Sequence, residues 1–274
     1  MGLTIEGKEQ AGAGFEPQPG YEIGRAHTLS RPSNIIARLG LKAQTLLESA
    51  VARVSVLPDT PVYESTDFDW VPSVEAHWPA IRAELDAVMR QRADLPNFHD
   101  ILDEVRTITH DDQWKTYWLL GAGLDCRENA RHCPQTMAAL QKIPGVMNAF
   151  FSILAPGKHI PAHRGAYNGI LRYHLGMIVP APAWMTGIRI ADRICNWSEG
   201  QSLIFDDSFN HEAWNYTDGW RVVLFVDFAR PLRWPWHALN RAALASAAML
   251  PLMRRAGAQH RRWQRRFYSA IGGG

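Results

Sequence analysis

Two histidines in HIPAHRG, His159 and His163, stand four residues apart, the separation at which a helix brings two imidazoles to one metal. Pro161 lies between them, and the GILRYHLGMIVP that follows has the β-branched and aromatic texture of a strand. A helical metal pair is therefore excluded. His159 is expected in a loop or behind a ligand, and His163 needs a partner from elsewhere. The candidate is His211 in IFDDSFNHEAW, 48 residues further on. Two histidines far apart in sequence, each beside a strand of one β core, can meet at a barrel mouth.

Arg172 and His174 are two apart in a strand and so share a face, with Leu171, Tyr173 and Leu175 on the other. A buried arginine needs an anionic partner, and no acid stands near this one in sequence; a bound carboxylate would serve. Arg221 makes the same case. If NYTDG turns as a hairpin loop, Ala213 opposes Arg221 and His211 lies diagonally across from it, roughly 7–8 Å away on one face. Two imidazoles with open coordination positions suit ferrous iron that takes a chelating acid and dioxygen. The carboxylate that usually stands two residues after the first histidine is replaced by Gly165. Either water completes the shell or an acid arrives from elsewhere: Asp206, Asp207 and Glu212 are nearest to His211. Turn chemistry and hydrogen bonding behind a ligand are the expected roles for Asp207.

The elements that position these groups are short runs separated by Gly, Pro, Asn and Asp: NAFFSILAPG, GILRYHLGMIVP, TGIRIAD, QSLIFDD and WRVVLFVDFA. They predict a mainly β core, an antiparallel sandwich or barrel, with WKTYWLLGAG as a further strand. Helices flank it. Ile35, Leu39, Leu46, Leu47, Ala50 and Val54 lie near helical spacing in a segment ended by Pro58. A second helix begins near Trp78, with Pro79 in its first turn, and CPQTMAALQKIPG reads as a short one. Residues 1–33 read as a loose arm, 34–236 as one catalytic domain and 237–274 as a basic helical tail, of which 237–253 is expected to pack on the β core.

Nine arginines and no acid occur from Phe228 onward, so the tail carries +9 and the remainder −7. This asymmetry suggests an anionic partner, a membrane surface rather than nucleic acid, with a solvated basic helix as the alternative. Three cysteines make no disulfide framework, and with no leader pattern and no apolar run long enough to span a bilayer, a cytoplasmic chain that touches the membrane peripherally is expected.

Taken together, FFSILAPGKHIPAHRGAYNGILRYHLGMIVP, WSEGQSLIFDDSFNHEAWNYTDGWRVVLFVDFARP and NARHCPQTMAALQKIPG resemble the aspartyl/asparaginyl β-hydroxylase family of iron(II)- and 2-oxoglutarate-dependent oxygenases, from about Trp114 to Trp236. The resemblance implies a double-stranded β-helix (a cupin-like jelly roll) that couples oxidation of 2-oxoglutarate by O2 to hydroxylation of a C–H bond. It implies His163 and His211 as iron ligands. Ser152, Arg172, His174 and Arg221 would hold 2-oxoglutarate, with Arg221 on its distal carboxylate. Gly165 is shared with the peptide-hydroxylating members, which points to the β-carbon of an aspartyl or asparaginyl residue, or a related amino acid. RYHLG and ARPLRWPWHALNR resemble bacterial lipid A hydroxylases instead, so an acyl chain of a lipid A or ornithine-lipid type is the alternative substrate. A non-catalytic cupin-like metal module is the competing class. It is disfavoured because closed structural sites have four protein ligands and only two are found.

Overall fold

A computed structural model of the protein describes residues 35–247 and 249–271. The expected N-terminal arm lies outside them. The chain runs α1 (Ile35–Val54), β1 (Val62–Tyr63), α2 (Val71–Glu75), α3 (Trp78–Met89), α4 (Phe98–Ile101), β2 (Trp114–Leu120), α5 (Arg127–Arg131) and α6 (Pro134–Leu140). Eight strands follow: β3 (Val146–Leu154), β4 (His159–His163), β5 (Ile170–Ile178), β6 (Thr186–Ile190), β7 (Arg193–Cys195), β8 (Ser202–Phe205), β9 (His211–Asn215) and β10 (Arg221–Ala229). The helices α7 (Trp236–Ala247) and α8 (Pro251–Ile271) close it.

The strands form two antiparallel sheets, a large one in the order β1-β8-β5-β10-β3-β2 and a small one in the order β4-β9-β6-β7. They face each other as a double-stranded β-helix. Period-two alternation along each strand sorts side chains between two cores. Phe150, Leu154, Phe205, Val223 and Phe225 of the large sheet meet Ile160, Ile188 and Ala213 of the small one. Phe151, Leu171, Tyr173, Leu224 and Val226 point the other way, onto Val74, Ile81 and Leu85 of α2 and α3. A strand covered on both faces needs no polar alternation, which is why β10 reads RVVLFVDFA and is buried throughout.

The helices match their expected positions, with α3 starting at Trp78. Three details differ. The 159–163 segment is a strand and not a loop. The tail breaks at Pro251, and the helix that packs is α8, through Ala256, His260 and Phe267, while among the described side chains of α7 only Asn240 and Leu244 are buried. The arginines of α8 remain exposed. Finally, Leu46 and Leu47 of α1 are 72 % and 52 % exposed, while Glu48 and Val51, and Ser55 just after the helix, are buried.

Candidate active site

His163 and His211 face each other across the β4–β9 pair, their rings 4.2 Å apart. A bulge makes this possible. Ile160 pairs with Ala213 and packs between the sheets, so in a regular strand Ala162 would oppose His211. One extra residue between Ile160 and His163 rotates His163 to the inner face instead. His159 is left on the outer face, where its ring meets Glu212 Oε2 at 3.0 Å. The two histidines of HIPAHRG therefore point to opposite sides of the sheet.

Each inner imidazole is oriented by its own chain. His163 Nδ1–H donates to the Pro161 carbonyl at 2.8 Å and His211 Nδ1–H to the Phe209 carbonyl at 2.9 Å. This leaves Nε2 of both as the lone-pair nitrogen, the tautomer a metal-bound histidine uses. Burial holds His163 down to about 4, and burial with His163 and Arg172 nearby holds His211 well below its ordinary value. Two neutral, pre-oriented imidazoles fit a divalent cation. Among the described residues no cluster of three His, Cys, Asp or Glu accompanies them.

The three acids near His211 have other tasks. Asp206 is buried against Arg230, which also donates to Tyr63 Oη and the Asn168 carbonyl. Glu212 faces outward between Arg189 (2.6 Å) and His159. Asp207 pairs with Arg172 at 2.8 Å. Burial lifts its carboxyl to about 6 against the opposing pull of Arg172, so it is mostly an anion at neutral pH. Its carboxylate lies directly over Gly165, where a Cβ would collide with it, and the Gly165 amide donates to the Asp207 carbonyl at 2.7 Å. Glycine at 165 thus leaves room for the carboxylate of residue 207, which any larger side chain would have to displace.

Arg172 and His174 share the inner face as expected, but the reasoning about Arg172's charge is corrected. It already has two carboxylates, Asp207 and, directly across on β10, Asp227 at 3.0 Å. Its guanidinium also lies over the Phe225 ring at 4.2 Å. The expected hairpin joining His211 to Arg221 is corrected too: β9 and β10 belong to different sheets, and Arg221 pairs with Leu154 of β3. NYTDG crosses between the sheets. The two residues still reach the same interior, from opposite walls.

Deep in that interior are donors with no partner. Arg221 is 2 % exposed, stacks on Trp197 at 4.4 Å, and has an unpaired Nε; burial alone lowers it to about 9. Both nitrogens of His174 and the indole nitrogen of Trp197 are also buried without partners. Burial, then Arg172 and Arg221, push His174 well below its ordinary value. Ser152, next to Val223 across the β3–β10 pair, accepts from Trp114 Nε1 at 3.0 Å, so its own O–H remains to donate. Buried donors around a lone cation fit a bound carboxylate ligand. A separate cavity of about 490 Å³ under α8, lined by Leu119, Leu124, Ala130 and Met137, contains none of these groups.

Sequence reasoning missed Asp227, Trp197 and Glu48. An acid within VVLFVDFA was the available signal for Asp227, since a charge inside an otherwise apolar strand implies a buried pair. Glu48 of α1 binds Arg164, the residue after His163, at 2.6 Å with both side chains buried. Nothing local could have joined residues so far apart.

A jelly roll with two oriented histidines at its rim and an unpaired cation between its sheets is the frame of an oxygenase. The aspartyl/asparaginyl β-hydroxylase family model matches residues 75–231, and the chain belongs to that family, which makes it a hydroxylase. It is 45 % identical over 255 residues to an ornithine lipid ester-linked acyl 2-hydroxylase of Rhizobium tropici, covering 92 % of this chain and 90 % of that one. It is 33 % identical over 166 residues to the human aspartyl/asparaginyl β-hydroxylase, covering 59 % of this chain and 21 % of that protein. The human aspartate β-hydroxylase domain-containing protein 2 is 34 % identical over 45 % of this chain and 35 % of its own length.

Proposed function

We propose that the protein is an iron(II)- and 2-oxoglutarate-dependent hydroxylase acting on an ester-linked acyl chain of an ornithine-lipid type of membrane lipid. The observation that carries the substrate is the reach of the likeness to the Rhizobium protein, 255 residues against the 157-residue catalytic match of the family model. Gly165, which first pointed to a peptide substrate, does not weigh against a lipid: it makes room for Asp207 whatever the substrate.

In this reading iron(II), with 2-oxoglutarate as reductant, supplies the activation of O2. His163 and His211 hold the metal through Nε2, with Nδ1 engaged by Pro161 and Phe209. Arg221 takes the distal carboxylate of 2-oxoglutarate, helped by Ser152, while His174 and Trp197 supply further donors. Asp207 and Asp227 keep Arg172 rigid beside the metal end. The apolar walls, Phe150, Phe205 and Phe225, exclude water from the cosubstrate.

The test is incubation with detergent-dispersed ornithine lipid, Fe(II) and 2-oxoglutarate, followed by mass spectrometry of the acyl chains and measurement of succinate. One added oxygen on the ester-linked chain is expected, abolished by His211→Ala. Oxygen found only on aspartyl peptides offered in parallel would replace the lipid reading with the peptide one. Absence of succinate in every sample would sink both.

A further inference from the structure

The two helices that hold the segment behind His163 expose large apolar residues, Leu46 and Leu47 on α1 and Trp236 and Leu239 on α7, while Val51 and Leu244 are buried. Along α1 the side facing the protein is polar: Gln44 donates to the Ala166 carbonyl at 2.7 Å, Glu48 grips Arg164, and Asn168 donates to the Glu48 carbonyl at 2.8 Å. On α7, Asn240 accepts from Tyr167 Oη at 3.0 Å and donates to the Gly169 carbonyl at 2.9 Å. Both helices are therefore anchored on residues 164–169 by hydrogen bonds, and most of their large described apolar side chains stay in solvent. The segments that leave α1 and enter α7 lie side by side, Ser55 bridging Leu232 and Arg233 donating to the Val54 carbonyl. This brings the end of α1 beside the segment that starts α7. Eight of the eleven exposed large apolar side chains among the described residues fall on these helices and their flanks. Leu46, Leu47, Val56, Trp234, Trp236 and Leu239 make up most of this surface, with Trp234 85 % exposed.

The exposed charges on α1, α7 and the start of α8 are all basic, and Asp59 beyond Val56 is the exposed acid at the edge of the surface. Lys42, Arg53, Arg233 and Arg241 are exposed, and Arg254 and Arg255 continue the series at the start of α8. The single acid of α1, Glu48, is buried under Arg164, and no acid occurs after Asp227. A second copy of the chain would bring two basic rims together, which like-charge repulsion opposes. An apolar surface carrying tryptophans and ringed by arginines matches a bilayer interface with anionic headgroups. Among the described residues no helix is long and apolar enough to cross a membrane.

We infer that the α1–α7 face docks on an anionic phospholipid surface and sets the rim bearing His163 against it. This rests on the lipid-acyl reading above, because a substrate chain embedded in a bilayer must be met at the bilayer. The contact differs from the expected one: the arginines of α8 contribute attraction, and the α1 and α7 side chains insert.

The test is flotation of the full chain with phosphatidylcholine vesicles and with mixed phosphatidylcholine/phosphatidylglycerol vesicles, neither containing substrate. Binding to the mixed vesicles is expected, weakened by salt and by omission of phosphatidylglycerol, each arginine near the surface contributing about fivefold. Leu46→Glu with Leu47→Glu, and separately Trp234→Ser with Trp236→Ser, should each weaken binding by roughly tenfold or more. These side chains are exposed, so turnover of detergent-dispersed lipid stays unchanged. Failure of the parent protein to float, or variants that float like the parent, overturns the docking face while detergent turnover keeps the substrate reading. A dimer in light scattering that the Leu46/Leu47 variant dissociates overturns it in favour of a second copy. Normal flotation with no oxygen on any lipid in detergent would reject the substrate reading instead.

Discussion

Two arginines stand on the inner face of the large sheet in opposite circumstances. Arg172 sits between two carboxylates, Asp207 and Asp227, over the ring of Phe225. Arg221, on the strand next to it, has no carboxylate and rests on Trp197 with its Nε unpaired. Burial lowers Arg221 to about 9, which still leaves it charged at neutral pH. A buried cation that stays charged at neutral pH and has no carboxylate partner among the described residues marks where a ligand's anion belongs; a buried cation that has its anions is part of the frame.

Neutral substitutions test this contrast most strongly. Arg172→Met strands two carboxylates in the interior and should destabilise the protein by about 3–5 kcal/mol, read by chemical denaturation. Arg221→Met should leave the ligand-free protein as stable as the parent or more so, because it removes an uncompensated charge and puts apolar volume in its place. The same variant should lose the rise in Tm that 2-oxoglutarate gives the parent. Equal destabilisation by both substitutions would erase the distinction.

His260 of α8 offers a third solution to the same problem. It is fully buried and, unlike an arginine, can become neutral; burial holds its pKa down to about 4 from 6.5. The unfolded chain then binds a proton that the folded chain refuses between those two values. Stability from this group is complete above about pH 6.5 and is lost as pH falls toward 4, by on the order of 3 kcal/mol at most. His260→Gln should flatten that part of the stability–pH curve relative to the parent. An unchanged slope would mean that the imidazole is not the group responsible.

How these groups come together was only partly readable beforehand. Period-two alternation put Arg172 and His174 on one face, and the structure keeps them there, because strand parity is local. The same rule would have misplaced His159 and His163, which read as a loop, since one inserted residue in β4 reverses parity and leaves no mark in HIPAHRG. It failed again at NYTDG, where a turn that reads as a hairpin joins strands of different sheets. The anions of Arg172 lie on β10 and in the loop after β8, contacts that only the strand order supplies. On α1 the helical spacing of Leu46 and Leu47 was legible but not the face that packs, because Glu48 and Gln44 find their hydrogen-bond partners in a segment more than 100 residues away.

Gly165 probes the compensated side of the comparison. A methyl group there meets the Asp207 carboxylate, which is already fixed by Arg172. Gly165→Ala should therefore cost about 1–3 kcal/mol through displacement of a packed group. If Asp207 instead swings away freely, the cost vanishes, and Arg172 must be held by Asp227 alone.

The smallest effect belongs to Trp197, the ring that stands under the uncompensated cation. Trp197→Phe weakens a buried cation–π contact by about 1 kcal/mol and removes an indole N–H that has no partner, a change of similar size and opposite sign. Stability without ligand should hence barely move. The balance shifts once a carboxylate enters, because an N–H that was an orphan becomes a donor. The variant should then bind 2-oxoglutarate about threefold to tenfold more weakly, measured by calorimetry, while its melting temperature alone stays near the parent's. If affinity is unchanged, the indole does not face the ligand, and Trp197 serves Arg221 only as a wall.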